Sequence, residues 1–244
     1  MSKIQWDAVG ERFYEVGVDR GVFYSDGGGV FVTGVPWNGL ISVEPAMEGH
    51  AVSPLKSADV NVDAGFTPDD QGGTITAYTY PDEFEDCLGT QEIIPGLSTR
   101  QQEYSRFGLS YRTLVGNDIA GTQYGYKIHL IYNAQITEIT NSASTISNPL
   151  SPSNFSWKYT TFPMTSEYSQ PYSELIIDST KVSAELLAAI EDILYGSDYD
   201  SARMPLLEEL YDLYYSYGAD ASSSLNGYPY AEIFPNTSIY PVNL

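Results

Sequence analysis

Up to about residue 178 the sequence is a succession of short β-type runs that are separated by turn-forming residues. The strongest turn signal is Asp26-Gly27-Gly28, because aspartate and glycine tolerate the positive φ angles of a tight hairpin. The runs on either side are Gly21–Ser25 and Gly29–Val35. This pattern predicts a mainly β fold. Further strands are predicted at Leu40–Glu44, Thr74–Tyr80, Arg106–Val115, Tyr126–Ile139, Phe155–Phe162 and Glu174–Ile177.

The pattern changes after Asp178, where apolar residues recur at helical spacing. Ser183 can cap a helix over Ala184–Tyr195, and Pro205 suits the first turn of a second helix that runs to about Tyr217. The expected organisation is a β domain over residues 1–182, a helical segment over 183–218 that packs on it, and an extended C-terminal tail over 219–244. Two connections are long, Pro45–Gly73 and Asn141–Asn154, and loops of such length usually have a function or no fixed structure.

The charge balance excludes ordinary binding to nucleic acid. The chain has 32 acidic and 11 basic residues, a formal net charge of −21, and affinity for phosphates requires Lys and Arg. No basic residue lies between Lys56 and Arg100, and the densest acidic cluster in that stretch is Asp82-Glu83-x-Glu85-Asp86. Carboxylates at this density must face water, either on an outer surface or in a channel. A channel wall of this charge would let DNA slide without sticking.

The residues that catalysis usually needs are scarce. The two histidines are His50 and His129, and Cys87 is the only cysteine, so no intrachain disulfide can form. We expect Cys87 to pack as a small apolar residue and His129, which sits in an apolar run, to be a hydrogen-bonded sheet residue. The sequence therefore predicts a protein that is not an enzyme and has no metal or cofactor. A pair of carboxylates acting as an acidic hydrolase stays open, because spacing along the chain cannot exclude it.

The first residues of the sequence give no indication of a secretory signal. Met1–Asp7 lacks the apolar core of a secretory signal, and no run approaches the roughly 20 apolar residues of a membrane-spanning helix. We therefore expect no membrane-spanning segment and synthesis in a cytoplasm.

Four segments, in this order, resemble the major tail tube proteins of long-tailed, non-contractile bacteriophages of Gram-positive hosts. They are Trp6–Val22, Gly34–Leu40, Ala77–Glu85, and Leu175–Thr180 together with the helix Leu186–Gly196. They span most of the chain, and four matches in order are far more specific than one. Pro45–Gly73 and the residues beyond about Gly218 show no such resemblance.

The resemblance implies a tail-tube-type β-sandwich or barrel subunit with long loops and a C-terminal helical segment. Such subunits form stacked, usually hexameric rings whose acidic lumen carries the genome into the host. The implied partners are further copies of the chain, a tape measure protein, and the distal tail and tail terminator proteins, and the implied location is the tail of the virion. DNA would pass through without specific binding.

Two sets of residues are candidates for roles in such a tube. The density of charge beside a predicted strand makes Asp82, Glu83, Glu85 and Asp86 candidates for the lumen wall. The candidate subunit contacts are Phe13, Tyr14, Arg20, Pro36 and Trp37, with packing in the core as the competing interpretation for the apolar members. The alternative function is a soluble β-sandwich module that binds a ligand or carbohydrate on an aromatic face.

Overall fold

The computed structural model describes residue 4, residues 6–47, 56–57, 60–61, 71–141, 145 and 152–217. The strands in this part of the chain are β1 (Phe13–Asp26), β2 (Phe31–Pro36), β3 (Leu40–Met47), β4 (Lys56–Ser57), β5 (Val60–Asn61), β6 (Gln71–Ala77), β7 (Gln91–Ile94), β8 (Leu97–Thr99), β9 (Phe107–Asn117), β10 (Gly121–Asn141), β11 (Phe155–Thr161) and β12 (Glu174–Asp178). The helices are a 3-10 helix (Asp82–Leu88), α1 (Ala184–Tyr195) and α2 (Leu207–Tyr217). The prediction of a mainly β fold is confirmed.

One antiparallel sheet of eight strands organises the molecule, in the order β2-β1-β9-β10-β11-β6-β3, with β12 paired to β10 beside this path. The long strand β10 has two partners on its second side. Its residues Lys127–Ile131 pair with β12, whereas Ala134–Asn141 pair with β11. The register of β10 against β9 shifts between Ile131 and Ala134, so the predicted run Tyr126–Ile139 is one strand that bends.

The bend folds the sheet over itself and encloses a first core. Strands β6 and β11 and the 3-10 helix cover one face of β1, β9 and β10. Phe84 of the 3-10 helix contacts Phe23, Phe107 and Trp157 at ring-centroid distances of 5.5, 5.3 and 5.4 Å. Cys87 is 2% exposed in this core, which is the apolar packing role that we predicted.

A second core lies on the opposite face of the same strands. Alternate residues of β10, Ile128, Leu130 and Tyr132, pack there against α1, whose buried residues are Leu186, Ile190 and Leu194. The Ser183 hydroxyl accepts a hydrogen bond from the Leu186 N–H, so the predicted cap and the predicted bounds of α1 are both confirmed.

The hairpin at Asp26 also forms as predicted, because the Asp26 carboxylate accepts hydrogen bonds from the N–H groups of Gly28 and Gly29. Three features were not predicted: the 3-10 helix, which begins directly after Pro81, the hairpin β7–β8, and the short strand pair β4–β5. Most of the connection between β3 and β6 and all of the C-terminal tail lie outside the described residues, and so do parts of Asn141–Asn154.

Candidate assembly surface

Beyond the two cores, four strands continue as a single layer that we call the four-strand sheet. It consists of β1 up to Val16, β9, β10 up to Ile131, and β12, in the order β1-β9-β10-β12. Each pair is antiparallel, so β1 and β10 run in one direction and β9 and β12 in the other.

Both outer edges of the four-strand sheet are free within the described part of the chain. Strand β2 pairs with β1 only from Val22 onwards, which leaves the outer edge of Phe13–Val16 without a strand partner. On the other side, β12 pairs with β10 and with no other described strand. Free strand edges present unpaired N–H and C=O groups to any strand that approaches, so proteins normally cover them or use them for assembly.

The helices cover one face of the four-strand sheet, which we call the helix face. Leu175 and Ile177 of β12 pack there with the second core. Polar contacts extend this face towards β1. Arg112 donates two hydrogen bonds to the carboxylate of Asp19, at 2.7 and 2.6 Å, and the Tyr126 hydroxyl donates to Glu191 of α1 at 2.6 Å.

The opposite face, which we call the polar face, carries a hydrogen-bonded network that crosses all four strands. Glu15 accepts hydrogen bonds from Thr113 and from the Lys127 ammonium group, both at 2.6 Å. His129 lies 3.1 Å from Glu174 through Nδ1 and 3.1 Å from the Thr113 hydroxyl through Nε2, and its ring stacks on Tyr111 at 4.6 Å. The prediction that His129 is a hydrogen-bonded sheet residue is confirmed, since it is 8% exposed with both ring nitrogens engaged.

The hydrogen bonds of this network favour the charged form of the Glu15 carboxyl. Burial raises the pKa of this carboxyl, but the hydrogen bonds from Lys127 and Thr113 and the nearby positive charge outweigh burial, so the pKa is lowered. Asp178 also has a lowered pKa, because hydrogen bonds from Thr180 and Lys181 outweigh the effect of burial. With Glu174, three carboxylates on this face stand against the ammonium groups of Lys127 and Lys181, so the polar face has a small excess of negative charge.

Large apolar side chains are exposed where the four-strand sheet ends. Phe13 and Tyr14 are 54% and 42% exposed, and Val16 is 41% exposed. The Phe13 ring lies 5.0 Å from the ring of Tyr124, which is itself 42% exposed. An apolar cluster on a strand with a free edge is typical of an interaction surface.

A groove of about 520 Å³ runs along the free edge of β12. Its apolar wall comes from β12, the start of α1 and the middle of α2, and its lining residues include Ile177, Val182, Leu186, Ile190, Leu210 and Tyr214. Lys127, Asp178 and Lys181 lie at the same groove. A second exposed apolar feature is the hairpin β7–β8, on which Ile93, Ile94 and Leu97 are 63%, 58% and 54% exposed.

The predicted lumen residues lie on the 3-10 helix rather than on a strand. Asp82, Glu83 and Asp86 are exposed and Glu85 is half-buried, while Phe84, Cys87 and Leu88 between them turn into the first core. Phe84 and Phe107 are in contact, so this helix sits on the same side of the sheet as the polar face. Their placement in a lumen stays a prediction.

The predicted subunit contacts separate into two groups. Phe13, Tyr14, Arg20 and Pro36 are exposed, and Arg20 lies 3.5 Å from Glu191. Trp37 is 3% exposed, packs against Phe84 and Trp157, and donates a hydrogen bond to the Thr79 carbonyl. Trp37 is therefore a core residue rather than a subunit contact, because its side chain has almost no surface to offer a second subunit.

Sequence reasoning missed the polar network. Glu15, Lys127 and Glu174 are far apart in the chain, and only the pairing of four strands brings them together. The one available signal was that each is a charged residue inside a predicted or resembling strand segment, where one polar face is expected from strand alternation.

The pKa values of three described carboxylates and of Cys87 do not suit catalysis by these groups. Within the part of the chain that the structure describes, Glu15, Asp19 and Asp178 have lowered pKa values, whereas a general acid needs a raised one. Burial raises the pKa of the Cys87 thiol to about 12, which makes it a poor nucleophile. Among the described residues, no group of three or more His, Cys, Asp or Glu is arranged to hold a metal ion, and no helix is long and apolar enough to cross a membrane.

Comparison with known proteins adds no further identification. No protein family model and no curated protein sequence matches this chain. The function must therefore be argued from the residues and from the geometry of the four-strand sheet.

Proposed function

We propose that this protein is the tail tube subunit of a long-tailed bacteriophage, which assembles into stacked rings around an acidic lumen. The observation that carries the proposal is the four-strand sheet, which within the described residues has two free edges, one face covered by helices and a polar face that is partly exposed at Glu15, Lys127 and Asp178. The four sequence segments that resemble tail tube proteins support it independently.

The free edges explain how a ring would form. A sheet with a donor edge and an acceptor edge on opposite sides makes head-to-tail contacts, and these close into a ring when the rotation per subunit permits. Closure removes the free edges that would otherwise cause uncontrolled aggregation. The number of subunits follows from the rotation angle, and the resemblance favours six.

The two faces explain which side would meet DNA. The helices occupy the helix face and would lie outside the closed barrel, so the polar face would line the lumen. Glu15 and Asp178, which are partly exposed on this face, would then help to repel the phosphate backbone, and DNA would pass without being trapped. The tape measure, distal tail and terminator proteins are the partners that such a tube requires.

Electron microscopy of the purified protein tests this function. We expect rings or tubes at high protein concentration, and their diameter would fix the number of subunits. A protein that stays monomeric at every concentration and ionic strength would contradict the proposal. High salt should favour assembly, because it screens the repulsion between copies that each carry a net charge of −21.

The lumen placement of the acidic residues has its own test. Replacing the exposed residues Asp82, Glu83 and Asp86 with Lys should leave the fold intact but hold DNA in the tube, which slows ejection. The matched control is the triple replacement with Asn and Gln, which removes charge without adding any. Ejection at the normal rate in the Lys variant would place this cluster outside the lumen.

The binding-module alternative has one structural feature in its favour. Three residues of α2, Tyr211, Tyr214 and Tyr215, form a cluster with Tyr168, whose ring stacks on that of Tyr211 at 4.5 Å. Aromatic platforms of this kind bind sugar rings and other flat ligands. A stable monomer that binds oligosaccharide, and that loses binding in Tyr211→Ala, would favour this alternative over the tube.

A further inference from the structure

We propose that the seam between neighbouring subunits forms when β1 of one copy adds to the free edge of β12 in the next, with Tyr14 and Val16 filling the groove beside β12. This inference rests on the proposed tube function and specifies which surfaces meet. It assigns the groove a single occupant, a second copy of this chain.

The alternation of side chains on β1 selects Tyr14 and Val16 for the groove. Successive residues of a strand point to opposite faces, and Glu15 points to the polar face, where it contacts Thr113 and Lys127. Tyr14 and Val16 therefore point to the helix face, and both are more than 40% exposed in the single chain. The groove opens on that same face, where Ile177 and Val182 meet Leu210 and Tyr214.

Strand direction also fits this pairing. Because the four-strand sheet has an even number of strands, β1 and β12 run in opposite directions. Rotation about a ring axis preserves the direction of each strand relative to that axis, so β12 and the incoming β1 are antiparallel. The antiparallel pattern of the subunit then continues across the seam without a break.

The free edges of β1 and β12 lie at different heights along the strand direction. The free part of β1 lies level with Leu114–Asn117 of β9, whereas β12 lies level with Leu109–Thr113. Each added copy is therefore shifted along the strand direction relative to the last. A shift of this kind tilts the strands, and tilted strands with a fixed stagger are what closure into a barrel requires.

The groove lacks the excess negative charge that would oppose the approach of a second copy. The chain carries 32 acidic residues against 11 basic ones, so most of its surface repels a second copy. At the groove, by contrast, Lys181 pairs with Asp178 at 3.2 Å and Lys127 pairs with Glu15 at 2.6 Å, so the two carboxylates there have basic partners. The incoming segment Phe13–Val16 carries one charge, that of Glu15, which the Lys127 of its own copy neutralises, so the seam joins two nearly neutral edges.

Chemical cross-linking in assembled protein tests the seam. The variant with Val16→Cys and Ile177→Cys, treated with a short bismaleimide, should give a covalent ladder that ends at the ring. Cys87 can remain, because it is 2% exposed and does not react. The matched control is Ile93→Cys with Ile177→Cys, which reports on the exposed hairpin β7–β8 entering the groove instead, and it should give no ladder.

A second pair of variants covers the case in which the cysteine variant does not fold. Tyr14→Lys should lower the assembled fraction at least about tenfold while the monomer keeps its thermal stability, because a charge would be buried in the apolar groove. Ile93→Lys, at an exposed site on the hairpin β7–β8 and outside the proposed seam, should assemble normally.

Different results of these experiments would contradict the proposed seam and the proposed tube function. Tubes in which the control pair cross-links, or in which Tyr14→Lys assembles and Ile93→Lys does not, would overturn the seam and leave the tube function standing. The absence of any tubes in the unaltered protein would overturn both.

Discussion

Phe13 and Phe23 lie on the same strand and on the same face of the same sheet, yet they have opposite surroundings. Phe23 is 1% exposed and contacts Phe84 and Phe107, whereas Phe13 is 54% exposed and contacts Tyr124 alone among the described rings. The strands β1, β9 and β10 run through both regions. We call these regions the closed end, where a second layer covers the sheet, and the open end, where none does.

The difference shows that the strands themselves do not decide what is buried. At the closed end, the bend in β10 brings β11 and β6 over the sheet and creates an apolar interior. Towards the open end the same face changes to a polar network. His129 and Glu174 are still largely buried there, with Gln71 of β6 donating a hydrogen bond to Glu174, whereas the side chains of Glu15 and Lys127 are about one-third exposed. Exposed apolar residues at the margin of a polar network suit a surface that faces water and also contacts a neighbouring subunit.

The largest expected effect is at the closed end. Phe84→Ala removes a ring that is fully buried among Phe23, Trp37, Phe107 and Trp157, so we expect a loss of about 3–5 kcal/mol in the free energy of unfolding. Urea titration of the monomer measures it. A loss below about 1 kcal/mol would mean that the first core is not packed as described.

A smaller effect is expected in the second core. Tyr24 is fully buried, and its hydroxyl donates to the Leu194 carbonyl at 2.8 Å and lies 3.1 Å from the Ser110 hydroxyl. Tyr24→Phe leaves these groups without their partner, which should cost about 1–3 kcal/mol in urea titration. Ser110→Ala is the matched control, and it should cost less because the bond to Leu194 survives.

Asp19 lies where the closed end passes into the open end, and we expect it to make stability depend on pH. The hydrogen bonds from Arg112 lower the pKa of Asp19, against an opposing effect of burial. The ion pair therefore contributes above the unfolded-state pKa of about 4, and its contribution is lost as the pH falls through the lower folded-state pKa. Asp19→Asn should be less stable than the unaltered protein at neutral pH, with a smaller decline in acid. An unchanged decline would contradict this role.

The smallest effect on folding is expected at the open end. Phe13→Ala makes the same change as Phe84→Ala but removes a ring that is more than half exposed, so the monomer should lose less than about 1 kcal/mol. Thermal unfolding at a low protein concentration measures this without a contribution from assembly. A loss as large as that of Phe84→Ala would remove the distinction between the two ends.

Much of the fold was accessible from local patterns. The turn at Asp26 and the cap at Ser183 depend on a few neighbouring residues, and both formed where predicted. The 3-10 helix was missed because Asp82–Leu88 is short and acidic, and its register is set by Phe84, Cys87 and Leu88 turning into a core that local sequence does not reveal. The predicted strand Thr74–Tyr80 ends at Ala77 for the same reason.

The candidate site was predicted only in part. Phe13 and Tyr14 were named as contacts and are exposed on a free strand edge, whereas Trp37 was named with them and is buried. All three are large, mainly apolar residues, so the sequence pattern does not distinguish the exposed ones from the buried one. Their difference lies in which residues pack across from them, and those residues come from distant parts of the chain.

By itself the sequence determined the acidic charge, the mainly β character, the hairpin and the capped helix, because these depend on composition and on contacts within a few residues. Only the tertiary structure decided that the sheet is covered at one end and free at the other, and that Glu15, Lys127 and Glu174 meet on one face. The physical reason is that strand pairing joins residues more than a hundred positions apart, as the bond from Lys127 to Glu15 does. The alternation along a strand divides its residues between two faces, but the layers that pack above those faces determine which residues are buried.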